Sequence, residues 1–211
     1  QDLNVAADIQ RKFFPLNFPN VTGYDFGALT IPSRKVGGDA YFWHERKNGE
    51  VVFMIADVMG KGLPSSLLMS QIQAIMKIFA DQFAPAGEIV TAVNEFVYRY
   101  TTQEKFITMF VMVLDPQSGG FSFCNAGHNP PFIIRIEDYK LLEDGGMPVG
   151  VFLEQNYLQG EGKIEAGETI VLYTDGLIEA RNAEDEEFGL EQLIQTSREE
   201  MPRTAEEMTA A

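Results

Sequence analysis

The apolar positions of the chain recur with a helical period in some stretches and as strand-like runs in others. A stretch over 63–82 has the 3.6-residue period of an amphipathic helix, and a second one runs from Ala86 to Tyr100. Weaker patterns predict helices after Gly189 and after Thr204. A looser helical pattern opens the chain, ends at prolines, and has its apolar residues at Leu3, Ala6, Ala7, Ile9 and Phe13.

Runs of consecutive apolar residues predict the β-strands. Before the first long helix the runs are YDFGALTI, AYFWHE and VVFMIAD, and an Asn48-Gly49 turn joins the last two as a hairpin. After the second long helix they are ITMFVMVLD, FSFCNAG, PFIIRI, a stretch near Tyr157 and TIVLYT. Strands that are apolar on both faces need cover on both sides, and adjacent antiparallel strands favour a sandwich over a parallel doubly wound sheet. We therefore predict an α+β fold with a central antiparallel β-sandwich flanked by helices on both sides.

The composition is that of a globular protein with an acidic surface. Of the 211 residues, 45% are apolar and 22% are charged, and the formal charge is −15. This charge argues against a nucleic-acid partner, and no apolar stretch approaches the roughly 20 residues of a membrane helix. The single cysteine, Cys124, excludes an internal disulfide and fits a reducing compartment, and we interpret it as a core residue rather than a nucleophile. We therefore expect a cytoplasmic protein without direct membrane insertion.

Three aspartates lie where strand-like runs meet glycine. Asp39 follows two glycines in VGGDAYFW, Asp57 closes VVFMIAD, and Asp175 lies at the end of TIVLYTDG. A carboxylate at the end of a buried strand costs several kcal/mol unless a cation or several donors compensate it. Oxygen ligands suit Mg²⁺ or Mn²⁺, so the three positions together indicate an acidic metal cluster. An Asx-turn or strand-end cap is the alternative for each one alone.

A larger set of segments occurs in a characteristic order: VGGDAYFW, ADVMGKG, FITMFVMVLD, NAGHNPP, GMPVG and LYTDGLIEA. Their order and spacing resemble those of the metal-dependent PPM-type serine/threonine protein phosphatases. The bacterial SpoIIE-type branch, which regulates sigma-factor partner switching, is the most similar. The resemblance runs from about Ile9 to Leu193. It implies a PPM-type phosphatase domain over 19–211, cut before its last strands, and an N-terminal helix and linker over 1–18 that continues from an upstream region.

The resemblance also implies a ligand set and a reaction. Two divalent ions, Mn²⁺ or Mg²⁺, would activate a water that hydrolyses phosphoserine or phosphothreonine without a covalent intermediate. Asp57 would bridge both ions, and the backbone carbonyl of Val58 would be a further ligand. Asp175 would hold one ion, and Asp39 would complete the acidic floor directly or through water.

Three basic residues lie near these motifs. Arg34, in IPSRKVGGD, lies where this branch usually carries an arginine and could clamp phosphate, and a solvated loop arginine is the alternative. Lys61 could face phosphate or be a surface lysine. His128 in GHNPP could be a general acid, but we interpret it as a structural histidine, because the following diproline turn needs a rigid, hydrogen-bonded lead-in.

The chain departs from the family pattern at three places. Phe42 stands where the family often carries a second acid, which weakens the case for Asp39, and Met59 stands where animal-type members carry a histidine. No Asp-Asp-x-Thr motif follows Phe188. Either the chain is a fragment that stops before this motif, or the metal held by Asp175 binds weakly.

Two functional interpretations remain open from the sequence. The first is a phosphatase acting on a phosphorylated anti-sigma-factor antagonist, controlled by an upstream sensory or receiver domain that moves the two long helices. A coiled upstream linker would also allow a homodimer. The alternative is a catalytically silent pseudophosphatase that binds a partner and signals by conformation. Phe42 and the missing late acid favour the silent domain, and the three retained aspartates argue against it.

Overall fold

A computed structural model describes residues 2–15, 17–32, 35–101 and 105–210. Its helices are α1 (Asp2–Arg11), α2 (Leu63–Gln82), α3 (Ala86–Tyr100), α4 (Asp175–Ile178), α5 (Gly189–Glu200) and α6 (Ala205–Ala210). Its strands are β1 (Ala40–Glu45), β2 (Val51–Val58), β3 (Ile107–Leu114), β4 (Gly120–Ala126), β5 (Phe132–Ile134), β6 (Tyr139–Leu141), β7 (Gly145–Gly146), β8 (Gly160–Lys163) and β9 (Thr169–Val171). Within these residues, no helix is both long enough and apolar enough to cross a bilayer.

The strands form two sheets. The first has the order β1-β2-β3-β4-β7, and β8 also pairs with β4. The second has the order β6-β5-β9. Every pair is antiparallel except the short one between β4 and β7. In the register of β2 against β3, Asp57 lies opposite Thr108, which becomes important at the functional site.

The alternation of side chains along β3 explains the layers of the fold. The odd-numbered residues of β3 pack in an apolar cluster with the inner faces of α2 and α3. The even-numbered ones from Phe110 to Leu114 pack in a second cluster, between the two sheets. A third cluster joins Phe132 and Ile134 of β5 to Leu193 and Ile194 of α5. The predicted α+β sandwich with helices on both sides is therefore confirmed.

Several strand predictions need correction. Residues 24–31, all of them described, form an irregular segment and no strand. The segment packs by its side chains: Phe26 stacks on Phe53 of β2, with ring centroids 5.6 Å apart. Tyr157 is buried but lies in a loop, and the strand begins at Gly160. TIVLYT is a strand only over Thr169–Val171. An apolar run thus identified burial correctly at these places but not main-chain pairing.

Candidate functional site

The three aspartates come together where both sheets end. Asp39 directly precedes β1, Asp57 is the next-to-last residue of β2, and Asp175 begins α4 shortly after β9. The Thr174 hydroxyl donates a hydrogen bond to Oδ2 of Asp39 at 3.1 Å, so the segment after β9 is tied to the start of β1. The first sheet thus supplies two of the carboxylates and the second sheet supplies the third.

Asp57 is the most perturbed of these acids. Burial, contact with the Asp39 carboxyl group, and repulsion from the charges of Asp39 and Asp175 raise its pKa to about 8. Among the described residues, none of the ion pairs involves any of the three aspartates. The described protein groups therefore leave this concentration of negative charge uncompensated.

Gly38 leaves open the space in front of two of the oxygen atoms. A Cβ atom at this position would lie 2.9 Å from the Val58 carbonyl oxygen and 3.1 Å from Oδ1 of Asp57. The main-chain and side-chain oxygens of these neighbouring residues therefore face the same small volume. The second glycine of VGGD is required by this close approach.

The oxygen atoms at this site can be compared with the ligands that the predicted metal ions prefer. Carboxylate and carbonyl oxygens are the hard ligands that Mg²⁺ and Mn²⁺ prefer. Within the described ranges, no group of three or more His, Cys, Asp or Glu side chains is arranged to hold an ion by itself. Mg²⁺ is usually bound by one or two carboxylates and keeps several waters, so an open set completed by the Val58 carbonyl fits it. The residues present fit a hydrated Mg²⁺ or Mn²⁺ ion.

The basic candidates are placed differently from one another. Arg34 lies outside the described residues, so its predicted role is not tested. Lys61 is exposed on the turn between β2 and α2. Sequence reasoning missed Lys105, whose ammonium group donates to the Met59 carbonyl at 3.0 Å and lies against Gly60. No local sequence signal marks this contact, because it depends on the antiparallel register of β2 and β3, continued past Val58.

His128 is a structural residue in the described geometry. Its Nδ1 lies 2.9 Å from the Thr108 hydroxyl, and its Nε2 lies 3.1 Å from the Tyr173 carbonyl oxygen. A carbonyl only accepts, so Nε2 carries the proton and Nδ1 accepts from Thr108. Burial lowers the pKa of the imidazole to about 4. Both ring nitrogens are thus hydrogen-bonded within the protein, which agrees with the predicted structural role, and the role itself stays a prediction.

Phe42 does not stand in for a missing carboxylate. It is 2% exposed and belongs to the apolar cluster under α2 and α3. Asp57 lies on the other face of the first sheet, with Phe53 and Ile55 of the cluster between the sheets. An acid at position 42 would be buried among apolar side chains, on the face of the sheet opposite Asp57.

The first helix contacts the loop that carries Asp39. The side-chain amide of Gln10 donates to the Gly37 carbonyl at 2.8 Å, and the Gly37 N–H donates back to Oε1 of Gln10 at 3.2 Å. Gln10 is 7% exposed, whereas Ile9, which the apolar pattern placed on the inner face, is 55% exposed. The predicted helix exists, but a glutamine that hydrophobic periodicity ignores makes its contact with the site.

The chain is similar to known proteins in sequence and in fold. The family model described as Stage II sporulation protein E (SpoIIE) matches residues 47–211. Phosphoserine phosphatase RsbU of Bacillus subtilis (strain 168) is 30% identical over 211 residues, which cover 98% of this chain, and the chain spans 62% of the length of RsbU.

Solved structures share the fold. The SiaA PP2C domain of Pseudomonas aeruginosa has a TM-score of 0.86 at 20% identity, over 99% of this chain and 85% of that one. RsbX, solved in complex with magnesium, has a TM-score of 0.53 at 16% identity, over 87% and 86% of the two chains. At these identities the structural likeness supports the fold.

Proposed function

The chain belongs to the SpoIIE family, and on that premise we propose that it is a protein phosphatase that hydrolyses phosphoserine or phosphothreonine with two divalent cations, Mn²⁺ or Mg²⁺. The observation that carries the proposal is the convergence of Asp39, Asp57 and Asp175 without a paired cation among the described residues. Because such a charge cluster is costly, a cation from solution is the natural compensation. The similarity to RsbU, which is named a phosphoserine phosphatase, supports this reaction class.

Each residue of the site has a proposed role. Bound cations would neutralise the phosphate oxygens and acidify a water. Asp57 and the Val58 carbonyl would hold a cation jointly, because their oxygens face the same volume beside Gly38. Asp175 would contribute a carboxylate from the second sheet. Asp39 would complete the floor, and the hydroxyl of Thr174 holds it in place.

The substrate and the control of activity are further parts of the proposal. The substrate would be a phosphorylated regulatory protein of the anti-sigma-factor antagonist kind, in the cytoplasm. An upstream sensory or receiver domain, and dimerisation through it, would act on α2 and α3. The structural support is the short turn from Met59 to Gly62, which joins the strand of Asp57 directly to α2. Gly60 and Gly62 have φ values of 101° and 82°, so a side chain at either position would strain the turn.

A second candidate is a catalytically silent domain that binds a partner. The observation in its favour is that the described acids form no closed cage of three or more His, Cys, Asp or Glu ligands. On this reading the acids would hold no catalytic cation, and the domain would signal by conformation. It predicts that metal ions change neither phosphate release nor stability.

Phosphate release from a phosphoserine peptide in Mn²⁺ separates the two candidates. Asp57→Asn should lower kcat/KM by about a hundredfold or more, since a neutral amide cannot replace a shared anionic ligand. The matched control is Asp138→Asn, because Asp138 is an exposed acid in the β5–β6 turn, at the end of the second sheet away from the site. It should act like the wild type. Equal rates for the wild type and Asp57→Asn would favour the silent domain.

A further inference from the structure

The acid cluster spans a seam between the two sheets. Asp57 is on β2 of the first sheet, and Asp175 follows β9 of the second. Among the described residues, no strand of one sheet pairs with a strand of the other. The sheets meet mainly through apolar side chains, and the hydrogen bond from Thr174 to Asp39 is one polar contact between them. Apolar packing is non-directional, so it does not by itself fix the distance between acids on opposite sides. A directional contact across the seam would do so.

His128 makes such a contact beside the acids. It follows β4, and its N–H donates to Oδ1 of Asn125 at 2.7 Å, which anchors its backbone to the first sheet. Its ring donates from Nε2 to the carbonyl of Tyr173, which lies two residues before Asp175 on the side of the second sheet. Thr108, whose hydroxyl donates to Nδ1, is the cross-strand partner of Asp57.

The surroundings hold the imidazole in one orientation. His128 is 4% exposed, so the ring has little room to turn. The side-chain amide of Asn125 donates to the His128 carbonyl at 3.0 Å and to the Leu142 carbonyl at 3.3 Å. The Thr108 hydroxyl donates a hydrogen bond to Nδ1 and thereby keeps the ring proton on Nε2, the tautomer that the Tyr173 carbonyl requires.

We propose that His128 is a positioning residue that sets the separation of Asp57 and Asp175 across the seam, through its bond to the Tyr173 carbonyl. The inference deepens the proposed function and rests on it for the identity of the bound cations. On this proposal the histidine of the GHNPP segment strengthens metal binding without contacting the metal. Groups that orient metal ligands from outside typically change affinity or activity by about 10- to 100-fold when removed.

Two substitutions of similar size separate the cross-seam bond from general packing. The amide nitrogen of His128→Gln reaches about as far as Nε2 and can donate to the Tyr173 carbonyl. The amide of His128→Asn ends near the position of Nδ1, so it can bond Thr108 but falls short of Tyr173. Mn²⁺ binding by calorimetry should show a loss of about tenfold or more at one site for His128→Asn and less than about threefold for His128→Gln.

Metal-free measurements give a second readout. In EDTA, amide hydrogen exchange over 174–177 should be faster in His128→Asn than in His128→Gln, because only the asparagine variant frees the Tyr173 carbonyl. Arg46→Met is the control for general destabilisation, since Arg46 is buried beyond the other end of β1, and it should leave Mn²⁺ affinity unchanged. If the histidine variants do not fold, Thr108→Val and Thr108→Ser test the bond indirectly, because the Thr108 hydroxyl favours the tautomer that donates to Tyr173. Weaker Mn²⁺ binding is expected for Thr108→Val only.

The outcomes separate this inference from the proposed function. Equal Mn²⁺ affinity in the wild type and His128→Asn, or equal loss in both histidine variants, would overturn the positioning role. A wild-type protein that binds Mn²⁺ and shows the asparagine–glutamine difference but releases no phosphate would retain the inference and refute the phosphatase. If the protein releases phosphate but the two histidine variants bind Mn²⁺ equally well, the phosphatase proposal stands and the positioning role of His128 is refuted.

Discussion

The two ends of the first sheet bury charge in opposite ways. Beyond the end of β1, Arg46 is 8% exposed, and its guanidinium donates to the Ala80 carbonyl, to the Phe83 carbonyl and to Glu50 at 2.8 Å. At the other end, carboxylates lie against one another, and Asp57 has a pKa raised to about 8. One end compensates its charge with groups of the chain itself, and the other does not.

The difference suggests a way to tell a structural buried charge from a binding site. A buried ion with a partner and satisfied donors is tolerated at little net cost, whereas like charges held together cost stability. The end with Arg46 is complete without any other molecule. On the proposed function, a bound cation would offset the repulsion at the end with Asp57, so the unsatisfied end is the place to look for binding.

The largest effect is expected from closing the space at the acidic end. In Gly38→Ala the new Cβ would press on the Val58 carbonyl oxygen and on Oδ1 of Asp57, at the 2.9 and 3.1 Å separations given above. Displacing these oxygens should lower Mn²⁺-dependent phosphate release by about a hundredfold, because misplacement of about 1 Å is enough for that loss. Calorimetry should show weaker Mn²⁺ binding in the same variant.

Gly49→Ala is the matched glycine substitution at the end with Arg46. Gly49 has a φ of 87°, and a Cβ there would meet nothing within 4 Å. The variant should lose about 1 kcal/mol of stability from backbone strain and keep its Mn²⁺ affinity. Normal activity in Gly38→Ala would contradict the proposal that a cation occupies the space in front of Gly38.

Removing the compensated charge should affect stability alone. Arg46→Met keeps the aliphatic bulk but leaves the two carbonyls and Glu50 without their donor. The free energy of unfolding, measured by urea denaturation, should fall by about 2–3 kcal/mol. The decrease should be the same in Mn²⁺ and in EDTA. A loss that depends on Mn²⁺ would mean that the two ends are energetically coupled.

Removing the charge of Asp57 should change the stability of the protein in opposite directions without and with the metal. In metal-free protein the raised pKa of Asp57 means that the folded state takes up a proton between about pH 4 and 8, so stability falls as pH rises through that window. Asp57→Asn lacks this slope and should be more stable than the wild type at pH 8, by about 1 kcal/mol because the site is open to solvent.

In Mn²⁺ the wild type should be more stable than Asp57→Asn. Binding stabilises the wild type by about 2.7 kcal/mol at a hundredfold excess over Kd, and the variant loses most of that gain. Melting curves at pH 5 and pH 8, with Mn²⁺ or EDTA, provide the comparison. A variant that is less stable than the wild type in EDTA at pH 8 would contradict the repulsion.

Much of the fold followed from the sequence where the signal was local. The period of α2 and α3 and the Asn48-Gly49 turn are properties of short segments, and the structure places these elements as predicted. The three aspartates were found because glycine marks the strand ends, and the structure brings them together. Their roles as metal ligands, and that of Val58, stay predictions.

The contacts that sequence reasoning missed depend on pairing between distant segments. Lys105 meets Met59 only through the register of β2 and β3. The side of β1 on which Phe42 lies was not fixed by its position three residues after Asp39. Residues 24–31 read as a strand because an apolar segment that packs by its side chains has the composition of one that pairs by its backbone.

The contact between Gln10 and Gly37 has a consequence for chain entropy. From residue 12 to residue 39 the described residues form no helix or strand, and this segment leads directly into Asp39. Ordering it costs about 1–2 kcal/mol per residue in backbone entropy. The paired hydrogen bonds of Gln10 close it into a loop, and the Trp43 indole, donating to the Asn17 carbonyl at 2.8 Å, divides that loop into shorter ones. Removing the first ten residues would leave Asp39, Asp57 and Asp175 in the sequence and give Asp39 more conformations to lose.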